Sequence, residues 1–361
     1  MKLILAINPG STSTKISIFE DTKEAFTKTL RHTSEEISAF KNVIEQYDFR
    51  KDAIMAALKE NNFELSDLSA IVGRGGLLRP VASGVYEVNQ KMVEDLGSAQ
   101  YGEHASNLGG IIAKALADEV CSTKGAGACR AFIADPVVVD ELTEVARIAG
   151  HPLFTRKSTF HALNQKAIAK QFAEEAGEDY SSLNLIVAHL GGGVSIGLHS
   201  QGKVVDVNDA LEGDGPFSPE RSGGLTALQV VKLCFSGDYS FDQMKKIISG
   251  KGGVVAHLGT NSFQEVEKRV AEGDAKAKLI SDAFNYNVAK SIGGFAAAAS
   301  GNIDAILITG GIAYGKEMMA QLAAMVDFIA PVKIYPGEDE MGALAKNGFA
   351  VLSGKEDAKE Y

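Results

Sequence analysis

The sequence predicts an α/β protein built from two similar halves. An apolar run at 3–7 leads into Asn-Pro-Gly, and apolar residues return in alternation at Ile16 and Ile18. This is the pattern of a buried strand, a tight turn and a second strand. The segment 184–198 repeats the pattern with three consecutive glycines in its turn, and a third apolar run, 305–309, precedes a glycine pair. Because the strand–turn–strand unit occurs twice, an internal duplication is expected.

The first of these turns is a candidate phosphate clamp. It contains Gly10, a run of hydroxyl residues that includes Ser11 and Ser13, and then Lys15. Small residues let backbone N–H groups approach an anion closely, and the lysine adds positive charge. The spacing is not that of a Walker A loop. An ordinary polar hairpin turn explains the same residues equally well.

Two further residues of the first half are candidates for ligand binding. The strand expected at 68–72 ends in a glycine-rich segment that carries Arg74, and such segments commonly bind anions. The strand expected at 130–134 ends in Asp135, at the strand end where α/β proteins bind ligands. The alternatives are a solvated loop arginine and an aspartate that caps a turn.

The second half offers its own candidates. The segment 213–224 is too rich in glycine and proline for a helix, and it carries Arg221; long loops in compact domains are usually functional or disordered. A helix expected at 159–176 has His161 in its first turn. The pair Gly310–Gly311 permits close approach of a flat ligand such as a nucleoside.

The end of the chain carries three consecutive acids, Glu338, Asp339 and Glu340, where a helix is expected to begin. Acids in a first helical turn are favoured by the helix dipole, so a ligand is not needed to explain them. Further helices are expected at 34–45, 49–61, 90–96, 105–120, 141–149, 226–235, 241–249, 263–272 and 274–300. The last turns of 274–300 are very apolar and are expected to be buried.

A break at Gly150-His151-Pro152 indicates a domain boundary. We expect one domain over 1–150, completed by the C-terminal helix 338–361, and a second domain over 151–337.

Composition restricts the partners. The 361 residues carry a formal net charge of −10, whereas a nucleic-acid partner would require a basic face. Three cysteines without a Cys-x-x-Cys pair indicate a reducing cytoplasm and no zinc site. The first apolar run is too short for a signal peptide, and no run approaches the roughly 18 apolar residues of a membrane span. We therefore expect a cytoplasmic protein that binds neither nucleic acid nor membrane.

The three strand-plus-glycine turns, in this order, resemble the phosphate-1, phosphate-2 and adenosine motifs of the superfamily that contains acetate kinases, sugar kinases, actin and the heat-shock chaperone ATPases. Within it, the chain is similar to the acetate kinase family over essentially its whole length. The matching segments are 7–15, 72–77, 135–141, 160–165, 189–193, 219–223, 308–311 and 335–341. The resemblance implies two duplicated ribonuclease-H-like or actin-like ATPase domains around a central cleft.

The resemblance also implies a reaction. ATP would phosphorylate a short-chain carboxylate with Mg²⁺, giving an acyl phosphate and ADP, and the reverse reaction would make ATP. The chain departs from the acetate kinase pattern at Gln165, at Gly191–Gly193 and at 262–264. These departures favour butyrate or isobutyrate as the substrate, with acetate or propionate as the alternative. A homodimer or larger homo-oligomer is also implied, with the helix 274–300 as a candidate interface.

Position in the family motifs implies a role for each site residue. Phosphates and the metal would be held by Asn8, Ser11, Ser13 and Lys15. The substrate carboxylate and the migrating phosphoryl group would be bound by Arg74 and Arg221, with Asp135 beside Mg²⁺ and His161 stabilising the transition state. The second phosphate turn and the adenosine would be lined by His189, Gly191, Gly192, Gly193, Gly310 and Gly311. The metal would be supported by Asn8, Asp135 and Glu340, with Glu338 and Asp339 as alternative acids.

Two other classes remain open at this stage. A sugar or polyol kinase of the same superfamily would need polar groups that bind hydroxyls, and the pair Arg74 and Arg221 argues against it. A non-catalytic actin-like or chaperone-like ATP-binding protein would have no need for these two arginines.

Overall fold

The computed structural model describes all 361 residues, which divide into two compact units. Unit 1 comprises Met1–Val139 and Asp339–Tyr361, and unit 2 comprises Asp140–Glu338. Each unit contains one mixed β-sheet with helices packed on it. The predicted α/β class with two similar halves is therefore confirmed.

Eleven strands form the two sheets. Those of unit 1 are β1 (Leu3–Pro9), β2 (Ser13–Glu20), β3 (Lys23–Arg31), β4 (Ala70–Arg74), β5 (Val85–Glu87) and β6 (Arg130–Ala134). Those of unit 2 are β7 (Asn184–Leu190), β8 (Val194–Ser200), β9 (Lys203–Val207), β10 (Ala305–Gly310) and β11 (Val332–Pro336).

Thirteen α-helices accompany the strands. In chain order they are α1 (Ser34–Ser38), α2 (Tyr47–Glu60), α3 (Gln90–Ser98), α4 (Asn107–Lys124), α5 (Glu144–Arg147), α6 (Ala162–Ala176), α7 (Ala227–Cys234), α8 (Phe241–Ile248), α9 (Gly253–Leu258), α10 (Phe263–Ala271), α11 (Ala275–Ala298), α12 (Lys316–Val326) and α13 (Glu340–Leu352). Four short 3-10 helices lie at Ile44–Gln46, Leu65–Asp67, Tyr180–Ser182 and Gly311–Tyr314.

The sheet of unit 1 combines an antiparallel meander with parallel strands. Its order is β3-β2-β1-β4-β6-β5. The strands β1, β2 and β3 are antiparallel neighbours, whereas β1, β4 and β6 are parallel. The parallel pair β4 and β6 is joined through α4, because parallel strands need a long crossover connection. The strands β1 and β4 are buried on both faces, so each appears in the sequence as an unbroken apolar run.

The sheet of unit 2 repeats this topology. Its order is β9-β8-β7-β10-β11, with β7, β8 and β9 antiparallel and β7, β10 and β11 parallel. The helix α12 connects β10 and β11 as α4 connects β4 and β6. The internal duplication inferred from the two hairpins is thus present in the strand order, and β5 is an addition in unit 1.

Each sheet is stabilised by apolar side chains from its own helices. In unit 1, Ile7 and Ile71 belong to one buried cluster with Leu108 of α4. In unit 2, Ile196 and Phe284 belong to the cluster between the sheet and α11. Full burial of an aliphatic or aromatic side chain of this size stabilises the fold by about 1.5–3 kcal/mol.

The boundary between the units differs from the predicted position near 150. The segment after Val139 already belongs to unit 2 because its polar groups bond there. The Glu141 carboxylate accepts hydrogen bonds from Lys166 Nζ at 2.7 Å and from Val204 N at 2.9 Å. Thr143 N donates to Val205 O at 3.0 Å. Lys166 is 2% exposed, so this ion pair is buried and ties the segment to α6 and β9.

Several predicted helices are shorter than expected because side chains cap the backbone early. The predicted helix 34–45 is divided into α1 and a 3-10 helix at Ile44–Gln46, and between them Asn42 Oδ1 accepts from Glu45 N at 3.1 Å, a local bond that competes with a continuous helix. The predicted helix 141–149 is reduced to α5, which Thr143 caps. The helices α9 and α12 and the strand β5 were not predicted.

The last turns of α11 are buried on one side only, since Ile292 and Ala296 are buried while Ala297 and Ala298 are exposed. The expectation that these turns are buried therefore holds for one face of the helix and is wrong for the other. A single helix packed on a sheet buries one face, whatever its composition.

None of the helices combines the length and the hydropathy needed to cross a membrane.

Candidate active site

Three parallel strands of unit 1 end side by side, and each end carries a polar residue. The registers of β1 with β4 and of β4 with β6 align the strand ends. Asn8, Arg74 and Asp135 therefore occupy the carboxyl ends of neighbouring strands, which lie about 4.8 Å apart in a sheet. The antiparallel register of β1 and β2 places Lys15 directly opposite Asn8, on the same face.

Glu340 joins this row from the first turn of α13. Arg74 Nη2 lies 3.1 Å from Glu340 Oε1, and Arg74 Nη1 lies 3.3 Å from both Glu340 Oε2 and Asn8 Oδ1. Asn8 Nδ2 donates to Glu340 Oε2. The side chains of Arg74 and Glu340 are 24% and 14% exposed, so the ion pair is accessible to a small ligand.

The three consecutive acids, Glu338, Asp339 and Glu340, have separate surroundings. The Asp339 carboxylate accepts from Gly342 N at 2.9 Å and caps α13. Glu338 belongs to unit 2, where its Oε2 lies 3.6 Å from His189 Nε2. Of the three, only Glu340 bonds to Asn8 and Arg74, so the helix-dipole explanation fits Asp339 better than Glu340.

Asp135 is buried and its carboxylate is oriented by the next segment. Its Oδ1 accepts from Ser83 Oγ at 2.6 Å and from Gly84 N at 2.8 Å. Its backbone has a φ of 37°, in the left-handed region that non-glycine residues rarely adopt. Backbone strain of this kind persists only where the surrounding structure imposes it, and it clusters at functional sites.

The turn between β1 and β2 keeps its hydroxyl groups accessible. Gly10 N donates to Ser13 O at 2.8 Å and closes the turn. Ser11 and Lys15 are exposed and Ser13 is half-buried. These side chains are therefore available to an anion, as the phosphate-clamp hypothesis requires.

A buried arginine that sequence reasoning missed lies beneath this turn. Arg50 of α2 is fully buried and donates to Ser13 O at 2.9 Å, to Ser11 O at 3.3 Å and to Thr14 Oγ1 at 2.8 Å. Its remaining partner is the amide oxygen of Gln46. Burial lowers the pKa of Arg50, but an arginine keeps its proton in proteins. Its partners are all neutral groups, so its positive charge adds to the potential at the turn.

Two stacked histidines mark the corresponding edge of unit 2. The rings of His161 and His189 lie 3.8 Å apart at an interplanar angle of 11°. His189 is near the end of β7, and its Nδ1 lies 2.8 Å from Asn164 Oδ1. His161 occupies the N-cap position of α6, just before the helical turn in which it was predicted.

His161 is connected to a chain of buried polar side chains. Its Nδ1 lies 2.8 Å from Ser195 Oγ, which Gln165 Nε2 also contacts at 2.9 Å. Gln165 Oε1 lies 3.0 Å from His199 Nε2, and His199 Nδ1 lies 2.8 Å from Tyr180 Oη. Ser195, Gln165 and His199 are each 0% exposed. Sequence reasoning missed this chain, because its members come from three separate elements.

Arg221 reaches the glycine turn from the long loop. Its Nη1 donates to Ala210 O at 2.9 Å, and its backbone N donates to Ser218 Oγ at 3.2 Å. A Cβ atom on Gly193 would lie 2.0 Å from Arg221 Nη1 and 3.3 Å from His161 Cε1. A side chain at position 193 would therefore displace the Arg221 guanidinium from the turn. Burial lowers the pKa of Arg221, and the nearby acids Glu220 and Asp209 oppose that shift.

The glycine pair after β10 includes one constrained position. Gly310 has a φ of 94°, and a Cβ there would lie 2.3 Å from Leu190 O. Gly310 also exchanges backbone hydrogen bonds with Gly337 at 2.9 and 3.0 Å. A Cβ on Gly311 would meet no atom within 4 Å, so an open surface follows the strand.

The predicted site residues thus form two sets, each at the carboxyl ends of parallel strands. Unit 1 brings together Asn8, Lys15, Arg74, Asp135 and Glu340 beside the turn with Ser11 and Ser13. Unit 2 brings His161, His189 and Arg221 to the turn Gly191–Gly193, with Gly310 and Gly311 after the adjacent strand. No group of three or more His, Cys, Asp or Glu side chains is arranged to hold a metal ion by itself.

Comparison with known proteins identifies relatives over the full length. Residues 145–338 match the acetokinase family. Butyrate kinase 2 of Clostridium acetobutylicum is 55% identical over 358 residues, which cover 99% of this chain and 99% of that protein. Butyrate kinase 1 of the same organism is 54% identical over 361 residues, which cover 100% of both chains.

Solved structures share the fold at low sequence identity. The crystal structure of Porphyromonas gingivalis acetate kinase has a TM-score of 0.76 at 18% identity, covering 98% of this chain and 100% of that one. A propionate kinase from Francisella tularensis has a TM-score of 0.73 at 17% identity, covering 96% and 99%. The expected actin-like fold class is confirmed by these matches.

The glycine pair gives a testable prediction on stability. We expect Gly310→Ala to lower the free energy of unfolding by about 1–3 kcal/mol, because a side chain at positive φ meets a backbone carbonyl. Gly311→Ala, at an open position, should stay within about 0.5 kcal/mol of the parent. Urea unfolding of the three proteins tests this, and equal midpoints for both variants would contradict it.

Proposed function

Because the chain belongs to the acetokinase family, we propose that it transfers a phosphoryl group reversibly between ATP and butyrate or isobutyrate, giving the acyl phosphate and ADP. The observation that carries the proposal is the near full-length identity with two butyrate kinases. Arg74 at the end of β4 and Arg221 beside the glycine turn support it.

The chemistry requires charge neutralisation more than proton transfer. A short-chain carboxylic acid has a pKa of about 4–5, so the acceptor is already ionised at neutral pH. No general base is needed, and the obstacle is repulsion between two anions. Phosphoryl transfer is catalysed mainly by in-line positioning and by cations beside the transferring group.

Arg74 and Arg221 bind the substrate carboxylate and the migrating phosphoryl group in this proposal. The Arg221 guanidinium donates to the neutral carbonyl of Ala210, so its charge is not cancelled by an acid in direct contact. Arg74 forms an ion pair with Glu340, in which Nη2 lies 3.1 Å from Oε1. His161 donates a hydrogen bond to the phosphoryl group in the transition state. Asp135, held by Ser83 and Gly84, orients its neighbours and removes no proton.

The nucleotide is bound through backbone and small side chains. Asn8, Ser11, Ser13 and Lys15 hold phosphates, with the buried charge of Arg50 beneath them. The second phosphate turn is formed by His189 and the glycines Gly191, Gly192 and Gly193. Gly310 and Gly311 lie behind the adenosine, where the open backbone of Gly311 admits a flat ring.

Mg²⁺ fits the donor set of unit 1. Asn8 Oδ1 and Glu340 Oε2 each lie 3.3 Å from Arg74 Nη1, and Asp135 adds a carboxylate at the end of the same sheet. Mg²⁺ is typically bound by one or two carboxylates together with substrate phosphates and water, so a cluster of three acids is not required. The bound ion would neutralise part of the charge on the transferring group.

A second candidate is an acetate or propionate kinase of the same family, and it is favoured by the shared fold with such enzymes. A sugar kinase would need polar groups that bind the hydroxyls of its substrate, and the pair Arg74 and Arg221 argues against it. A non-catalytic ATP-binding protein leaves Arg74 and Arg221 without a role.

We also propose that the chain assembles as a homodimer or larger homo-oligomer. No residue of α7 is buried, although the helix is rich in apolar residues. Leu228 of α7 is 63% exposed. Phe235, directly after this helix, is 86% exposed, and Phe241, at the start of α8, is 82% exposed. An exposed apolar patch of this kind marks an interaction surface. The helix α11 offers a smaller one at Leu279 and Tyr286.

The three cysteines are free thiols, although Cys121 Sγ lies 3.2 Å from Cys129 O. We propose a cytoplasmic location on this basis, since reduced thiols persist there. Short-chain carboxylate, acyl phosphate and nucleotide are then the partners, with no role for nucleic acid or membrane.

The substrate class is tested by hydroxamate formation from ATP, Mg²⁺, hydroxylamine and carboxylic acids of two to five carbons. We expect the highest kcat/KM with butyrate or isobutyrate, because each methylene in a fitting pocket is worth about 1–3 kcal/mol. Product mainly with acetate or propionate would select the second candidate. No product with any acid, while ATP still binds, would refute the kinase assignment.

The arginine roles are tested by Arg74→Ala and Arg221→Ala. Each should lower kcat by about 10³-fold or more, as loss of a comparable arginine does in related phosphoryl transfers, while ADP still binds. The matched control is Arg130→Ala, which removes a half-buried arginine paired with Glu87 at the start of β6. Near-parental turnover in either test variant would remove that arginine from the mechanism.

The oligomer is tested by light scattering after size exclusion. We expect a mass of at least two chains, reduced by Phe235→Glu because a charge would be buried at the α7 interface. Leu279→Glu is the comparison for α11, and dissociation by that variant alone would move the interface to α11. A monomeric parent protein would contradict assembly altogether.

A further inference from the structure

We propose that Ser195 and Gln165 are positioning residues that hold His161 as a neutral imidazole with its proton on Nε2. His161 then offers one directed N–H donor and no positive charge. Only the statement that this donor serves the transferring phosphoryl group rests on the proposed function. The protonation state itself follows from the hydrogen bonds of unit 2.

The orientation of Gln165 is fixed by a backbone carbonyl. The side-chain atom of Gln165 that faces Ser195 O at 3.0 Å must be the amide nitrogen, because a carbonyl oxygen only accepts. The same nitrogen lies 2.9 Å from Ser195 Oγ. Its two protons therefore serve these two oxygens, and its oxygen is directed at His199.

The next residues of the chain agree with this orientation. His199 Nε2, 3.0 Å from the Gln165 oxygen, must donate. Burial lowers the pKa of His199 well below its usual value, with the charge of Lys166 acting in the same direction. The neutral ring then accepts at Nδ1, where Tyr180 Oη donates at 2.8 Å. No other arrangement of protons satisfies this chain.

Ser195 transmits the arrangement to His161. Its Oγ accepts from Gln165 Nε2 and from the backbone N–H of His161, at 2.9 and 3.3 Å. Both lone pairs of the hydroxyl are then occupied. Its own proton must point to the remaining neighbour, His161 Nδ1 at 2.8 Å. An Nδ1 that accepts a hydrogen bond carries no proton, so the proton of neutral His161 is on Nε2.

The surroundings disfavour a second proton on His161. An Nδ1–H would face an oxygen whose lone pairs are used, and it would leave the Ser195 hydroxyl proton without an acceptor. His189 is stacked on the ring, and Arg221 approaches it beside Gly193. Lys166 lies further along α6, where Glu141 neutralises it. Glu338 Oε2 lies 3.6 Å from His189 Nε2. The cation of Arg221 opposes a second positive charge beside it.

A neutral donor has a functional consequence. The transferring group gains a hydrogen bond from Nε2–H at any pH at which the ring is neutral. Activity should therefore not decline as the pH rises through about 6.5, the ordinary pKa of histidine. A charged histidine would show that decline.

The protonation state of the His161 ring nitrogens is measured by ¹⁵N NMR of the full-length protein, labelled at its seven histidines. The signals of His161 are those lost in His161→Gln. We expect a protonated Nε2 and an unprotonated Nδ1, unchanged between about pH 8 and pH 6, without substrate. An Nδ1–H tautomer, or titration near pH 6.5, would overturn the proposal whatever the enzyme phosphorylates.

Variants separate positioning from folding. Ser195→Ala removes the hydroxyl donor, so we expect His161 to exchange between tautomers, its pKa to rise and kcat to fall about tenfold or more, with KM for ATP little changed. Gln165→Glu keeps the shape but cannot donate, and it should place a proton on His161 Nδ1. The control Ser200→Ala removes a hydroxyl of the same strand that bonds Asn184. Parental His161 signals in both test variants would refute the proposal.

Parental NMR states together with failure of the hydroxamate assay would refute the proposed substrate and leave the histidine assignment intact. If Ser195→Ala changes the His161 signals as expected but its pH profile of kcat equals that of the parent protein, the role of His161 in phosphoryl transfer is refuted. The two failures are therefore distinguishable.

Discussion

The parallel pairing of β1, β4 and β6 is the constraint on which the unit 1 site depends. Backbone hydrogen bonds fix the register of these strands, so the residues that follow their buried runs emerge together at one edge. Asn8, Arg74 and Asp135 are therefore brought together by strand order, although they are far apart in sequence. The duplicated sheet of unit 2 applies the same constraint to His189 and Gly310, which end the parallel strands β7 and β10.

Behind each edge, buried polar side chains determine what the site residues can do. Arg50 bonds only neutral oxygens, so it orders the turn with Ser11 and Ser13 and also leaves a positive potential there. Gln165 and Ser195 act differently, because they carry no charge and set the direction of a proton. A buried polar network of this kind is useful only when every member is satisfied.

The elements that could be predicted from sequence are those with a local cause. The strands β1, β7 and β10 are contiguous apolar runs, and the long loop with Arg221 has too many glycines and prolines for a helix. The early end of α1 at Ser38 leaves a weak signal, because the break that follows it is marked by a local side-chain bond, from Glu45 N to Asn42 Oδ1. The boundary before Asp140 depends on Glu141 bonding Lys166, residues with no local pattern between them. Arg50 was missed for the same reason, since only its fold-dependent partners explain its burial.

In unit 2, arginine supplies the positive charge beside the glycine turn, and the two histidines there need not be charged to bind an anionic acceptor. Arginine keeps its proton at any physiological pH, and Arg221 contacts a neutral carbonyl, so its charge is constant and available. Two histidines stacked at 3.8 Å would repel each other if both were charged beside that arginine. A neutral His161 avoids this repulsion and contributes direction instead of charge. In the proposed reaction, the groups that attract the two anions would not titrate near neutral pH, and His161 would align the phosphoryl group without adding charge.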